Sequence, residues 1–155
     1  MKNEIDIIAD YLKLKKFAIE SDMIEGENFK ECHLEALQYI LDHKLTQKAL
    51  LHAHKLFAPD EEWGGRYRDC AVWIGWKQAP SFGLVPELMN NWFLDLPKMS
   101  SWEAHNKFEH IHPFQDGNGR MGRAIWLKLA LEEGYMFQRS FLHHYYYQSL
   151  SNFKK

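Results

Sequence analysis

HPFQDGNGRMGR, residues 112–123, is the stretch on which the reading of this chain turns. It sets a histidine, an acid, two glycines around an amide, and two arginines close together, a mixture that a packed core does not need. Pro113 forces a break after a helix that delivers His112 at its end. Gly117 and Gly119 let the backbone take positive φ and leave room for close approach of a ligand. Successive backbone N–H groups at such a turn form an anion nest, and a helix starting near Asn118 adds its N-terminal dipole. Arg120 and Arg123 are three apart and share a face of that helix. Two cations at a helix N-terminus oppose the macrodipole, so the arrangement makes sense where a polyphosphate sits. Asp116 can then hold Mg²⁺ bridging the phosphates, because Mg²⁺ takes few protein carboxylates and completes its shell with phosphate oxygens and water. His112, neutral near pH 7, can take a proton from an incoming hydroxyl. The residues alone point to Mg²⁺-dependent attack of a hydroxyl on a nucleotide phosphate.

The bulk properties narrow the field around this motif. The 155 residues suit one domain with a real core. A hydrophobic share of 46% and an aromatic share of 15% argue against disorder. A net charge of −2 argues against a general nucleic-acid binder, which carries a basic excess. No apolar run approaches the roughly 20 residues of a membrane span. The opening MKNEIDIIADYLKLKK mixes acids into its apolar positions, unlike a secretory signal. Cys32 and Cys70 read as incidental thiols in a reducing compartment. The expectation is a cytoplasmic protein that neither enters a membrane nor binds nucleic acid directly.

Working outward from the motif, helical spacing predicts helices over 4–19 and 28–43, then one capped by Thr46 that runs to Phe57. APDEEWGG, residues 58–65, is a turn-rich stop. Residues 66–76, RYRDCAVWIGW, are rich in β-formers and read as a strand, half of a small hairpin. Pro86 opens a helix to Asp95, and Ser100 or Ser101 caps another to Ile111. A helix over 118–133 and a last one over 138–151 complete a mainly α architecture. The organisation expected is an N-terminal pair of helices, 1–45, on a core, 46–155, in one compact domain.

The motif matches the signature of the Fic (Fido) family, HPFx[D/E]GNGRxxR, at His112, Pro113, Phe114, Asp116, Gly117, Asn118, Gly119, Arg120 and Arg123. HNKFEHIHPF, with His105, Phe108 and Glu109, resembles the helix that precedes it in that family. GRYRDCAVWIG, residues 65–75, resembles the family's flap. The resemblance implies a helical bundle with a short β-hairpin flap. It also implies protein adenylylation, in which AMP passes from ATP to a Ser, Thr or Tyr hydroxyl of a target protein. On this resemblance His112 is the general base and Asp116 the Mg²⁺ ligand. Gly117, Asn118 and Gly119 cradle phosphate, and Arg120 and Arg123 clamp it. Tyr67, Arg68, Val72, Trp73 and Ile74 hold the target peptide, and Tyr146, in the tail HHYYYQSL, stacks on adenine. The phosphorylating Doc branch carries Ala and Lys where this chain has Gly117 and Gly119.

SDMIEG, residues 21–26, fits the family's inhibitory pattern [S/T]xxxE[G/N] with Ser21, Glu25 and Gly26. The resemblance implies that Glu25 pairs with Arg123 and keeps it from the γ-phosphate. A carboxylate can compete with phosphate for one guanidinium in this way. Here Glu27 stands between Gly26 and Asn28, a departure from the common SxxIEGN form. Three other readings stand beside adenylylation. One is removal of AMP, or transfer of another phosphate-containing group such as UMP or phosphocholine, on the same fold. Another is a metal hydrolase built on histidines such as His52, His54, His105 and His110. The third is a catalytically silent Fic-fold module that binds or regulates a partner. Self-modification and assembly into an oligomer are further expectations of the resemblance.

Overall fold

The computed structural model describes residues 4–135. Helix α1 spans Glu4–Ile24, α2 Glu31–Asp42 and α3 Gln47–Phe57. A small antiparallel hairpin follows, β1 Trp73–Ile74 with β2 Lys77–Gln78, and then α4 Val85–Asp95, α5 Ser101–Ile111 and α6 Asn118–Glu132. The fold is mainly α with a two-stranded flap. The helix expected over 138–151, and Tyr146 with it, lie outside the described residues.

The helix starts follow local chemistry. Thr46 Oγ1 accepts from the Ala49 N–H at 3.1 Å, so it caps α3. At α5 the cap is Ser100: its hydroxyl accepts from the Glu103 N–H at 3.2 Å while Glu103 accepts from the Ser100 N–H at 2.9 Å, a capping box. Pro86 sits in the first turn of α4, where its missing N–H costs nothing.

Helix α6 forms the middle of the bundle. It packs on α5, α2 and α1, and every residue from Met121 to Lys128 is buried. A helix covered on all sides has no polar face to show. Its one buried lysine, Lys128, donates to the Leu41 carbonyl at 3.2 Å and pairs with Glu132 at 3.0 Å. The core around α6 holds Leu50, Val85, Met89, Phe108, Phe114, Ile125 and Leu127, all without exposed surface. Helix α4 covers the other side of α5, fixed by Trp92 Nε1–H on the Ala104 carbonyl at 2.9 Å.

Two expectations shift. Helix α1 runs five residues past the predicted end at Ile19 and carries Ser21 and Asp22 into the bundle. The strand expected over 66–76 shrinks to Trp73–Ile74, paired as Trp73 with Gln78 and Ile74 with Lys77. The reason lies in Arg68. Its N–H donates to the Pro113 carbonyl at 2.9 Å, and its guanidinium donates to the carbonyls of His112 at 2.7 Å, Cys70 at 3.1 Å and Pro80 at 2.5 Å. That pins this segment to the end of α5 rather than to a partner strand.

Candidate active site

The motif loop joins α5 to α6. His112 ends α5 in the left-handed region, φ 52°, the sole non-glycine with positive φ among the described residues. Such a backbone persists only where its surroundings over-determine it, and they do. Arg68 holds the His112 carbonyl from below. Asn118 reaches back across the loop: its Oδ1 accepts from the Phe114 N–H at 2.8 Å and its Nδ2 donates to the Phe114 carbonyl at 2.8 Å. Phe114 is buried and stacks on the His54 ring at 3.7 Å. His54 in turn accepts from the Gly65 N–H at 3.0 Å and donates Nε2–H to the Asp116 carbonyl at 3.0 Å. Gly117 has φ 82°, and a Cβ there would also collide with the Phe57 ring, so glycine is required twice over.

This frame presents chemistry to one cleft of about 500 Å³, bordered by Val72 and Trp73 of the flap, by His112, and by Asp116 to Arg120. His112 donates Nδ1–H to the Glu109 carbonyl at 3.0 Å. That bond selects the tautomer with a lone pair on Nε2. Burial lowers the His112 pKa, the Arg68 charge lowers it further, and the bond to Glu109 partly offsets both. The imidazole is therefore a neutral proton acceptor at pH 7. Asp116 stands at the cleft with its side chain 63% exposed, and its Oδ1 accepts from the Gly117 N–H at 2.7 Å. Arg120 Nη2 lies 3.5 Å from the same oxygen.

Arg123 differs. Its side chain is 1% exposed and is held by the end of α1. Nε donates to Ser21 Oγ at 2.8 Å, and Nη2 donates to the Ser21 carbonyl at 2.9 Å and to Glu25 Oε1 at 2.7 Å. Glu25 lies just beyond α1, in a turn closed by the Glu27 N–H on the Asp22 carbonyl at 3.0 Å. The additional Glu27 is absorbed there. Glu25 lies against the backbone of Gly119, where a Cβ would collide with its carboxylate. The expected site residues of the 112–123 motif thus share one cleft, Glu25 reaches it from the far end of the sequence, and Ser21 holds Arg123 from outside the cleft lining.

The flap residues divide. Val72 and Trp73 border the cleft, and Ile74 pairs in the hairpin. Arg68, expected on the target-facing flap, is buried under the loop and fully used on backbone carbonyls, so it is a brace and not a contact surface. Tyr67 is likewise half-buried against Phe114, at 6.0 Å between rings. Burial raises its pKa and keeps it neutral.

Sequence reading missed Asp22 and His33, and it considered His54 only as a metal ligand. His54 has its pKa pushed down to about 4 by burial, so it is a neutral strut. Nothing in its spacing from the motif marks it. Both its nitrogens serve the backbone, and His105 Nδ1–H is on the Gly122 carbonyl at 2.9 Å. Among the described residues no group of three or more His, Cys, Asp or Glu is placed to hold a metal ion. Among them, too, no helix is long and apolar enough to cross a membrane.

The chain is 34% identical over 116 residues to the protein adenylyltransferase Fic of Aedes aegypti, covering 66% of this chain and 23% of that protein. The Culex quinquefasciatus protein of the same name matches at the same identity and coverage. The chain spans about a quarter of the length of these curated relatives. Among solved structures, a Fic family protein from Desulfovibrio desulfuricans G20 superposes with a TM-score of 0.63 at 24% identity, over 80% of this chain and 49% of that one. A Fic domain containing signaling protein from Bacteroides thetaiotaomicron VPI-5482 gives 0.59 at 18%, over 84% and 66%. At these identities the structures speak to the fold alone. The Fic/DOC family model matches residues 44–130, from the start of α3 almost to the end of α6, and the chain belongs to that family.

Proposed function

We propose that this protein is a protein adenylyltransferase that carries AMP from ATP to a Ser, Thr or Tyr hydroxyl of a protein, itself included. The observation that carries the reading is the pairing of a neutral His112, its Nε2 lone pair open, with Asp116 and the Gly117–Gly119 nest in one cleft. His112 Nε2 takes the proton of the acceptor hydroxyl. The hydroxyl oxygen forms its bond to the α-phosphorus while the bond from that phosphorus to the β-bridging oxygen breaks, and pyrophosphate leaves with the electron pair. Backbone N–H groups at the start of α6, together with Arg120, hold phosphate oxygens in place.

Asp116 fits Mg²⁺. It is a single exposed carboxylate beside an anion nest, and Mg²⁺ draws most of its remaining ligands from phosphate and water. When bound, the ion neutralises phosphate charge. The curated relatives named protein adenylyltransferase support the AMP-transfer reading.

Glu25 makes the resting protein autoinhibited. It occupies Arg123 and lies against Gly119, on the ground where the terminal phosphates would lie. Glu25→Gly should raise transfer by about 10- to 100-fold, the equivalent of one charge-assisted hydrogen bond removed from competition. The test incubates wild type, Glu25→Gly and Glu25→Gly/His112→Ala with Mg²⁺ and ATP labelled at the α- or γ-phosphate. Label from the α-position alone, strong in Glu25→Gly and lost with His112→Ala, is the expected result. Label from the γ-position alone would make the protein a kinase and overturn the reading.

A further inference from the structure

The end of α1 touches both motif arginines, and in different ways. Glu25 meets Arg123 and borders the nucleotide cleft. Asp22, one turn earlier, faces Arg120 from the opposite side. It is not among the residues bordering that cleft. Its side chain is 1% exposed, and its Oδ1 lies 3.6 Å from Arg120 Nη1. The same oxygen accepts from His33 Nδ1–H of α2 at 2.6 Å. The His33 ring stacks on Phe57 at 4.2 Å, and the Arg120 guanidinium lies over that same Phe57 ring at 4.6 Å. Arg120 is thus fixed on its face by Phe57 and on its inner edge by Asp22. Its outer nitrogen, Nη2, is left toward Asp116 and the cleft.

We infer that Asp22 is a positioning residue for the phosphate clamp: itself held by His33, it fixes Arg120 with one edge presented to nucleotide. The inference rests on the adenylyltransferase reading only for what the nucleotide does afterwards. Its physical basis is independent. An arginine side chain only 10% exposed has given up most of its water and needs nearby anions to hold it in one geometry. Of the two carboxylates beside it, Asp116 at 3.5 Å borders the cleft, whereas Asp22 at 3.6 Å stands outside the cleft lining, away from phosphate. A carboxylate competing with phosphate would line the cleft, as Glu25 does. Two atoms complete the picture. Asp22 Oδ2 and Arg120 Nε are both buried without a hydrogen-bond partner among the described residues, and both residues line a cavity of about 20 Å³. That space has room for one water, which would accept from Nε–H and donate to Oδ2. Helix α1 therefore restrains the enzyme with Glu25 and assembles it with Asp22. Point relief at Glu25 and loss of the whole helix are not equivalent.

The test measures ATP affinity by calorimetry and, separately, KM and kcat for α-label transfer, all in the Glu25→Gly background. Asp22→Asn keeps the shape and an acceptor for His33 but removes the charge. It should weaken ATP binding roughly tenfold or more, raising KM more than it lowers kcat. In an Arg120→Ala background the same change should cost nothing further, since Asp22 acts through Arg120. His33→Phe retains the stack on Phe57, drops the donor to Asp22, and should give an intermediate loss; it serves if Asp22→Asn fails to fold. Equal ATP affinity with and without Asp22, including no binding in either, overturns the inference, and so does an equal loss in the Arg120→Ala background. Tight, Asp22-dependent ATP binding without α-label transfer would uphold this role and count against the proposed reaction instead.

Discussion

The motif loop, residues 112–118, and the flap hairpin, 73–78, face each other across the cleft and are built in opposite ways. The loop is over-determined. Asn118 braces Phe114 with two hydrogen bonds, His54 holds the Asp116 carbonyl, and Arg68 holds that of His112. The hairpin has two residues in each strand, and Trp76 at its turn is 89% exposed. Order is concentrated on the loop side of the cleft. On the proposed function, the loop atoms that would transfer a proton and hold phosphate must be fixed before substrate arrives. A strand edge that would receive a protein segment gains its missing hydrogen bonds from that segment, so it needs little order of its own.

The contrast can be broken from the loop side. Asn118→Ala leaves the buried Phe114 N–H and carbonyl without partners, at a cost of about 2–4 kcal/mol. Urea unfolding should show that loss as a lower midpoint, and α-label transfer should fall with it. An unchanged midpoint would mean that the loop is held by something other than this brace.

The titrating groups around the loop sharpen the comparison. Burial pushes Glu109 up to about 8 and pushes His54 and His105 down to about 4. Folded Glu109 keeps its proton through a range where the unfolded chain loses it, so stability falls as pH rises from about 4.5 to 8. The folded histidines bind fewer protons than the unfolded chain, so each costs stability as pH falls from 6.5 to about 4. Each group contributes a slope of about 1.4 kcal/mol per pH unit. The two histidines outweigh Glu109 on the acid side, which puts the maximum near pH 6.5. Glu109→Gln should flatten the limb between pH 6.5 and 8 and steepen the acid limb. Melting curves across that range check both, and an alkaline limb that persists in the Gln variant would contradict the assignment.

The smallest effect is expected at the flap. Trp76→Ala removes an exposed side chain and should change stability by no more than about 0.5 kcal/mol. Any loss of label transfer to a protein acceptor, with self-labelling intact, would then report target contact. A large drop in melting temperature would show that the hairpin is ordered by its own packing and would remove the contrast.

Local features are the ones that can be read directly from the residues. Pro113, the glycines of the loop and the three-residue spacing of the arginines specify helix, break, nest and helix because backbone geometry converts short spacings into positions. The caps at Thr46 and Ser100 are legible for the same reason. The contact of Glu25 with Arg123 was expected from the family resemblance alone, since no spacing implies a partner 98 residues away. The tertiary structure decided the rest. It brought His54 under Asp116, turned Arg68 from a flap residue into a brace, and set Asp22 and His33 behind Arg120. Those residues lie on separate helices and loops, and only the packing of α1, α2 and α3 around α6 brings them together. A buried charge or imidazole takes its role from the neighbours that replace its water, and those neighbours exist only once the bundle has closed.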